Sequence, residues 1–149
     1  MSEQVKLMNL CMVTDAHGRV LVQNRRKNDW DGLTFPGGKV EQGEALTASV
    51  IREVREETGL TIIEPRLCGC TSWYDAEARR NIVFLYRTEQ FSGTLRDSQE
   101  GHMEWMDREQ LLKGQFAFGM DEMLHVFLEE NKTEMWYQNS PKSWEITLM

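Results

Sequence analysis

Short apolar, β-branched segments alternate with turn-forming residues along most of this chain of 149 residues. Residues 5–14 predict a central strand, and residues 20–24, which follow turn residues 15–18, predict the second strand of a hairpin. The same pattern predicts further internal strands and a C-terminal hairpin. These strands are residues 33–35, a strand within 61–73 that Pro65 interrupts, 80–88, 103–106, and the terminal pair 136–137 and 144–148.

Two segments carry the periodicity of amphipathic helices. In residues 46–58, Leu46, Val50 and Val54 recur every four positions, and Gly59 follows where a left-handed helix cap belongs. The second such helix is predicted at about 121–129, with a helical turn before it at 107–112. Strands, hairpins and helices in this order predict a single α/β domain.

The charge balance limits the class of ligand. The chain has 24 acidic and 17 basic residues and a net charge of −7, so it has no basic excess with which to neutralise a nucleic-acid backbone or an anionic membrane. Duplex nucleic acid and membranes are therefore not expected partners. A phosphorylated small molecule remains compatible with this charge, because bridging metal ions can screen its phosphates from protein carboxylates.

The three cysteines, Cys11, Cys68 and Cys70, lie in apolar, strand-like segments. The Cys68-x-Cys70 spacing lacks the two-residue gap of common zinc or redox pairs, so free thiols in a reducing compartment are expected. The first ten residues lack the features of a signal peptide, and no apolar run has the length of a membrane span. These observations predict a cytoplasmic protein.

Three carboxylates are concentrated on one face of the first predicted helix. Glu53, Glu56 and Glu57 have i, i+3, i+4 spacing, which places them together and costs a few tenths of a kcal/mol per like-charged pair, roughly, in water. A divalent cation that prefers oxygen ligands is the simplest compensation. The alternative is a solvated acidic helix face, but a Gly-Gly loop leads into this helix.

The segment from Gly38 to Leu60 reads GKVEQGEALTASVIREVREETGL and resembles the signature of the Nudix hydrolases, with every fixed position matched. Those positions are Gly38, Glu44, Arg52, Glu53, Glu56, Glu57 and Gly59. The resemblance implies an α/β/α sandwich with a mixed β-sheet between helices, and a single Nudix hydrolase domain over residues 1–149 with its box at 38–60. It also implies an enzyme that requires Mg²⁺, with Mn²⁺ as the alternative ion.

The resemblance also implies roles for individual residues. Metal ligands are expected from the Gly37 carbonyl and from Glu53, Glu56 and Glu57, and Arg52 is expected to orient a carboxylate through charge-assisted hydrogen bonds. Glu44 is expected to brace the loop before the helix, with a water-mediated metal contact as an option. Gly38 and Gly59 are structural positions of the box.

A further acid in this family comes from a loop after the sheet. Glu100 is the candidate for that acid here, as an additional metal ligand or as the catalytic base. Asp97 and Glu104 are the alternatives, and His102 is a less favoured candidate for the base. Glu53, Arg52 and Glu100 are thus the expected catalytic residues.

Substrate contacts are expected at two sets of residues. Arg25 or Arg26, Lys39 and Arg80 lie where MutT-like members of the family hold a triphosphate. Phe118 could stack on a base and Asp121 could accept a hydrogen bond from a purine edge. The alternative places Phe118 in the core and makes Asp121 a helix N-cap.

The whole chain most resembles the bacterial MutT-type group of 8-oxo-dGTP diphosphatases. That resemblance implies hydrolysis of a nucleoside triphosphate to a monophosphate and pyrophosphate, in the service of nucleotide-pool sanitation. Another diphosphate, such as ADP-ribose or a dinucleoside polyphosphate, is the alternative substrate. A non-catalytic nucleotide-binding regulator is a third interpretation. The expected partner is a small-molecule nucleotide, and the expected assembly is a monomer or homodimer.

Overall fold

The computed structural model describes residues 2–25, 30–99, 101–139 and 143–149. Within these residues the chain forms eleven strands and three helices. In chain order they are β1 Val5–Val13, β2 Val20–Arg25, β3 Gly32–Thr34, β4 Gly37–Lys39, α1 Leu46–Thr58, β5 Leu60–Ile62, β6 Arg66–Tyr74, β7 Arg80–Thr88, β8 Phe91–Gly93, β9 Gly101–Met106, α2 Arg108–Lys113, α3 Met120–Leu128, β10 Glu134–Asn139 and β11 Trp144–Leu148.

The largest sheet has six strands in the order β11-β10-β6-β7-β1-β4. Strands β1 and β7 run parallel, as do β10 and β6, whereas the other neighbours are antiparallel, so the sheet is mixed as predicted. A three-stranded sheet, β3-β2-β9, and the short pair β5-β8 complete the β-structure of the described residues. The predicted C-terminal hairpin is present as β10 and β11.

Alternate residues of β1 face opposite sides of the large sheet. Leu10 and Met12 belong to a core that includes α3, whereas Cys11 and Val13 belong to a second core that includes α1. Apolar residues on both faces of β1 explain its nearly continuous hydrophobic sequence. The sheet therefore lies between helices, in the predicted three-layer arrangement.

Helix α1 has the predicted bounds, and Val50 and Val54 are fully buried, although Leu46 is only half-buried. The predicted left-handed cap is confirmed: Gly59 has φ 81°, and its amide donates to the Arg55 carbonyl at 2.9 Å. Arg96 reinforces this end, because its guanidinium donates to the carbonyl oxygen of Glu56. The helix that carries the three glutamates is thus fixed at its C-terminus.

Helix α3 begins one residue earlier than predicted, at Met120. Its N-cap is Gly119, with φ 84°, where an added Cβ would lie 1.7 Å from the Tyr137 hydroxyl oxygen. Asp121 is therefore not the N-cap. Phe118 is 56% exposed, so the alternative that placed it in the core is wrong.

All three cysteines are free thiols: Cys11 is buried, and Cys68 and Cys70 are half-buried. Desolvation raises the pKa of each thiol above its ordinary value. No helix among the described residues combines the length and apolarity needed to cross a membrane.

Candidate active site

A pocket of about 990 Å³ extends along the α3 side of the large sheet to the loop that precedes α1. One end, called here the carboxylate end, is lined by Gly37, Gly38, Lys39, Glu53 and Glu57. The other end, called the aromatic end, is lined by Trp30, Trp73, Phe118, Tyr137 and Trp144. Apolar side chains of Met8, Leu10, Val83 and Met123 also line the pocket.

Arg52 organises the carboxylate end. Its Nε and Nη2 donate to the two carboxylate oxygens of Glu44 at 2.6 and 2.9 Å, which is a bidentate ion pair. Its Nη1 donates to Glu53 at 3.0 Å and to Glu56 at 3.2 Å. One guanidinium therefore donates hydrogen bonds to three carboxylates and offsets the repulsion that the spacing of Glu53 and Glu56 would otherwise cause.

Glu44 is held strongly in its ionised form. Hydrogen bonds from the Arg52 guanidinium and from the Glu41 amide lower the pKa of Glu44 to about 2. The Glu41 amide bond, at 3.0 Å, closes the loop before α1, so Glu44 braces this loop as predicted. A second Arg52 contact, from Nη2 to the Lys39 carbonyl oxygen at 2.9 Å, ties β4 to the same cluster.

Close packing around β4 leaves no room for a side chain at either of its two glycines. An added Cβ on Gly37 would lie 2.0 Å from the Asn9 carbonyl oxygen, and one on Gly38 would lie 2.4 Å from the Glu53 carboxyl carbon. The Gly37 amide donates to Glu57 at 3.0 Å. Side chains at these positions would therefore displace β1 and the Glu53 carboxylate.

Asn9 is a positioning residue that the sequence prediction missed. It is 1% exposed, its Oδ1 accepts from the Gly38 amide at 3.0 Å, and its Nδ2 donates to the Ser49 hydroxyl at 2.9 Å. Ser49 in turn donates to the Leu46 carbonyl oxygen at 2.6 Å. This buried chain of hydrogen bonds fixes β4 relative to α1. An amide within the apolar run from Leu7 to Val13 was the available signal.

The donor set fits a hard divalent cation, because it consists of carboxylate oxygens beside glycine backbone. Glu53 and Glu57 line the pocket, and Glu56 lies on the same helix with a side chain 57% exposed. In the conformation described, no three Asp, Glu, His or Cys side chains of residues 2–25, 30–99, 101–139 and 143–149 converge closely enough to hold a metal ion. Arg52 and the Gly37 amide instead occupy one oxygen of each glutamate.

The predicted loop acid, Glu100, lies outside the described residues. Its alternatives have other contacts. Asp97 accepts from the Met103 amide at 3.0 Å and pairs with His102 Nδ1 at 3.1 Å, and these two contacts lower the pKa of Asp97. Glu104 lies opposite Val22 in the β2–β9 pair. Asp97, His102 and Glu104 are not among the residues that line the pocket.

The predicted phosphate-binding cations separate into two groups. Arg25 and Lys39 line the pocket, and the Arg25 guanidinium carbon lies 5.7 Å from the centre of the Trp30 ring. Arg26 lies outside the described residues. Arg80 is not brought to the pocket: its Nε donates to Glu3 at 2.5 Å, and its guanidinium stacks on Tyr74. Its position at the start of β7 directs it to the N-terminal segment instead.

Phe118 is placed at the aromatic end by two contacts. The Trp30 indole donates to the Phe118 carbonyl oxygen at 2.9 Å, and the Phe118 ring stacks on Tyr137 with centroids 5.8 Å apart. The structure does not bring Asp121 to the pocket. Asp121 hydrogen-bonds Glu122, and that bond, followed by desolvation, raises the pKa of Glu122.

Four aromatic residues of the pocket were not predicted from the sequence. Tyr137 is at their centre, with Trp73 edge-on at 5.7 Å and Trp144 edge-on at 6.2 Å. Trp30 completes the set through its hydrogen bond to Phe118. The positions of Trp73, Tyr137 and Trp144 follow from the strand order β11-β10-β6, and no local sequence pattern reports these pairings.

Comparison with known proteins gives a consistent family. A model described as the NUDIX domain matches residues 8–135. The uncharacterized Nudix hydrolase YvcI of Bacillus subtilis (strain 168) is 34% identical over 102 residues, which cover 65% of this chain and 63% of that protein. An oxidized purine nucleoside triphosphate hydrolase of Danio rerio is 30% identical over 107 residues, which cover 68% of this chain and 66% of that protein. The alignments thus span just under two thirds of the length of these relatives.

The fold agrees with this family. The crystal structure of the mutator MutT protein from Bacillus halodurans matches with a TM-score of 0.78 and 26% identity, covering 95% of this chain and 97% of that one. Since the family model spans most of the sequence, the chain belongs to the Nudix family. The predicted family and the predicted α/β sandwich are therefore confirmed.

Proposed function

We propose that this protein is a Nudix pyrophosphohydrolase that cleaves a purine nucleoside triphosphate, including oxidised purines such as 8-oxo-dGTP, to the monophosphate and pyrophosphate. The observation that carries the proposal is the pocket that joins an acidic end to an aromatic end. Its volume of about 990 Å³ is at the upper limit of the range of about 300–1,000 Å³ for small-molecule sites. The name of the Danio rerio relative supports an oxidised purine substrate.

The reaction breaks one phosphoric anhydride bond. A water oxygen bonds to one phosphorus of the anhydride, the bridging oxygen leaves with the bonding electron pair on the other phosphate product, and the water proton passes to a base. Nudix hydrolases generally need a divalent cation, and Mg²⁺ held by Glu53, Glu56 and Glu57, with the Gly37 carbonyl, would lower the pKa of bound water and neutralise phosphate charge. Glu53 and the loop acid Glu100 are the candidates for the base.

Other residues supply position and charge. Arg52 sets the orientation of Glu53 and Glu56, so its hydrogen bonds determine where carboxylate oxygens point. Lys39 and Arg25, which line the pocket, bind phosphate oxygens. Phe118 stacks on the base, whereas phosphate contacts are common to all nucleotides and cannot distinguish one base from another.

A hydrolysis screen tests the proposal. The purified protein is incubated with Mg²⁺ and with dGTP, 8-oxo-dGTP, dCTP, ADP-ribose or a dinucleoside polyphosphate, and the products are separated by ion-exchange chromatography. We expect a nucleoside monophosphate and pyrophosphate in equal amounts, highest rates with purine triphosphates, and no turnover when EDTA removes the metal. Glu53→Gln protein purified in parallel controls for contaminating phosphatases.

Two outcomes would contradict the proposal. Release of inorganic phosphate in place of pyrophosphate would exclude the proposed bond cleavage. Turnover of ADP-ribose or the dinucleoside polyphosphate alone would move the assignment to the alternative substrates, and absence of turnover with any substrate would favour a nucleotide-binding regulator.

A further inference from the structure

Trp144, the first residue of β11, is an exposed aromatic residue with no role in the proposed reaction. Its ring lies edge-on to Tyr137, with centroids 6.2 Å apart, and it lines the pocket. Its exposed fraction is 42%, although its ring contacts the ring of Tyr137. Phe118 contacts the same Tyr137 ring at 5.8 Å and is also exposed. Two exposed rings therefore share one buried ring, Tyr137, inside one pocket.

Trp136, the other tryptophan of this hairpin, packs outside the pocket and provides a comparison for Trp144. Trp136 is half-buried, lies edge-on to Tyr74 at 6.1 Å, and has the Arg80 guanidinium 5.8 Å from its ring centre. It is not among the residues that line the pocket. Because successive strand residues face opposite sides of a sheet, Trp136 and Tyr137 point in opposite directions. Trp144 lies on the Tyr137 side.

The aromatic end offers a ligand mainly the surfaces of uncharged rings. Phe118, Tyr137 and Trp144 carry no charge, and the neighbouring pocket residues Met8 and Met123 are apolar. Desolvation, followed by the charges of Glu122 and Asp121, raises the pKa of the Tyr137 hydroxyl, so that side chain is neutral at physiological pH. A planar ligand placed against these rings gains contact in proportion to its area, and a bicyclic base has more area than a monocyclic base.

We propose, resting on the proposed function, that Trp144 is a base-stacking residue that determines specificity for bicyclic over monocyclic bases. The C-terminal hairpin is then part of the substrate site as well as the edge of the sheet. The carboxylate end acts on the phosphates of any nucleotide, and Trp144 and Phe118 select which base is held beside it. Trp144 influences binding of the base and not the bond-breaking step.

Paired substitutions test this proposal. Trp144→Ala removes the ring, Trp144→Phe keeps a smaller ring, and Trp136→Phe controls for changes to the hairpin that do not involve the pocket. For Trp144→Ala we expect kcat/KM for dGTP or 8-oxo-dGTP to fall roughly five- to a hundredfold, the range for loss of one base–aromatic stack. The fall should come from KM, should be smaller for dCTP, and should be partly reversed in Trp144→Phe.

A binding measurement separates this inference from the proposed function. Titration of the protein with GMP and without divalent metal should quench tryptophan fluorescence, and the quenching should be much weaker in Trp144→Phe than in Trp136→Phe. Equal losses for purine and pyrimidine triphosphates, or equal quenching in the two variants, would overturn the role of Trp144 while leaving hydrolysis intact. Quenching that depends on Trp144 in a protein without hydrolytic activity would support Trp144 and refute the proposed function.

Discussion

The two ends of the pocket are built in opposite ways. The carboxylate end comes mainly from one continuous segment, residues 37–57, and its side chains are held by hydrogen bonds and ion pairs around Arg52. The aromatic end comes from five separate places between Trp30 and Trp144 and is held mainly by ring contacts, by the indole hydrogen bond of Trp30 and by the Arg25 guanidinium against the Trp30 ring. The carboxylate end is continuous in the sequence and consists mainly of charged groups, whereas the aromatic end is assembled from distant residues and consists mainly of uncharged rings.

This difference means that bond cleavage and nucleotide selection depend on different parts of the pocket. Substitutions in the loop before α3 or in the C-terminal hairpin can reshape the aromatic end without touching any hydrogen bond of Arg52. Loops and strand ends that a rigid scaffold positions are where binding specificity is usually found. The carboxylate end is therefore expected to define what bond is cleaved, and the aromatic end to define which nucleotide is cleaved.

The largest effect is expected from Glu53→Gln. This change removes a carboxylate charge that a divalent cation requires, so kcat should fall at least about a hundredfold, which corresponds to the several kcal/mol that metal catalysis supplies. All nucleotides should lose activity equally, so the ratio of kcat/KM between dGTP and dCTP should not change. Steady-state kinetics with both substrates in Mg²⁺ measures this.

Thermal unfolding of the Glu53→Gln protein is the control for a loss of folding. The glutamine keeps the shape of the side chain, and it removes both the repulsion with Glu56 and the ion pair with Arg52. Because these two changes oppose each other, Tm without metal should stay within about 5 °C of wild type. Turnover close to that of wild type would refute the metal role of Glu53. A changed preference between the two nucleotides would show that the two ends are not independent.

The sequence could predict what is local. Helix α1, its cap at Gly59 and the shared face of its glutamates depend on residues within a few positions of one another, so periodicity and spacing are sufficient. Phe118 could be located but its surroundings could not, because the Trp30 hydrogen bond spans 88 residues and the Tyr137 contact depends on the strand order β11-β10-β6. The phosphate contact predicted for Arg80 was not found at the pocket for the same reason, because its partner Glu3 is 77 residues away.

An intermediate effect is expected from Phe118→Ala. Loss of one stacking surface should lower kcat/KM for purine triphosphates roughly five- to a hundredfold, while kcat at saturating substrate changes little. Asp121→Ala is the matched control from the same segment, because the Asp121 side chain contacts Glu122 and does not line the pocket. Its kcat/KM should stay within about threefold of wild type, the range of a change that removes no substrate contact.

Inorganic tripolyphosphate, which has no base, sharpens the Phe118 test. Its hydrolysis should be unaffected by Phe118→Ala if the two ends act separately. A selective loss of the 8-oxo-dGTP preference in Asp121→Ala would instead restore Asp121 as a reader of the base edge and would require α3 to move.

The smallest effect is expected on stability at low pH, from Glu44→Gln. The pKa of Glu44 is lowered to about 2 in the folded protein, against about 4.3 for an unperturbed glutamate. A lowered folded-state pKa stabilises the protein above the unfolded value, and that contribution is lost as pH falls toward the folded value. The difference in free energy of unfolding between wild type and Glu44→Gln should thus be constant near neutral pH and shrink between about pH 5 and pH 2.

Urea denaturation at several pH values measures this difference, and two controls identify the cause of its pH dependence. In an Arg52→Met background the pH dependence of the Glu44→Gln difference should largely disappear, because the guanidinium is the main cause of the lowered pKa. Trp144→Phe, at the aromatic end, should change stability by an amount that does not vary over this pH range, since no titratable group is altered. A pH-dependent Trp144→Phe difference would mean that charge also holds the aromatic end together, and the contrast between the two ends would fail.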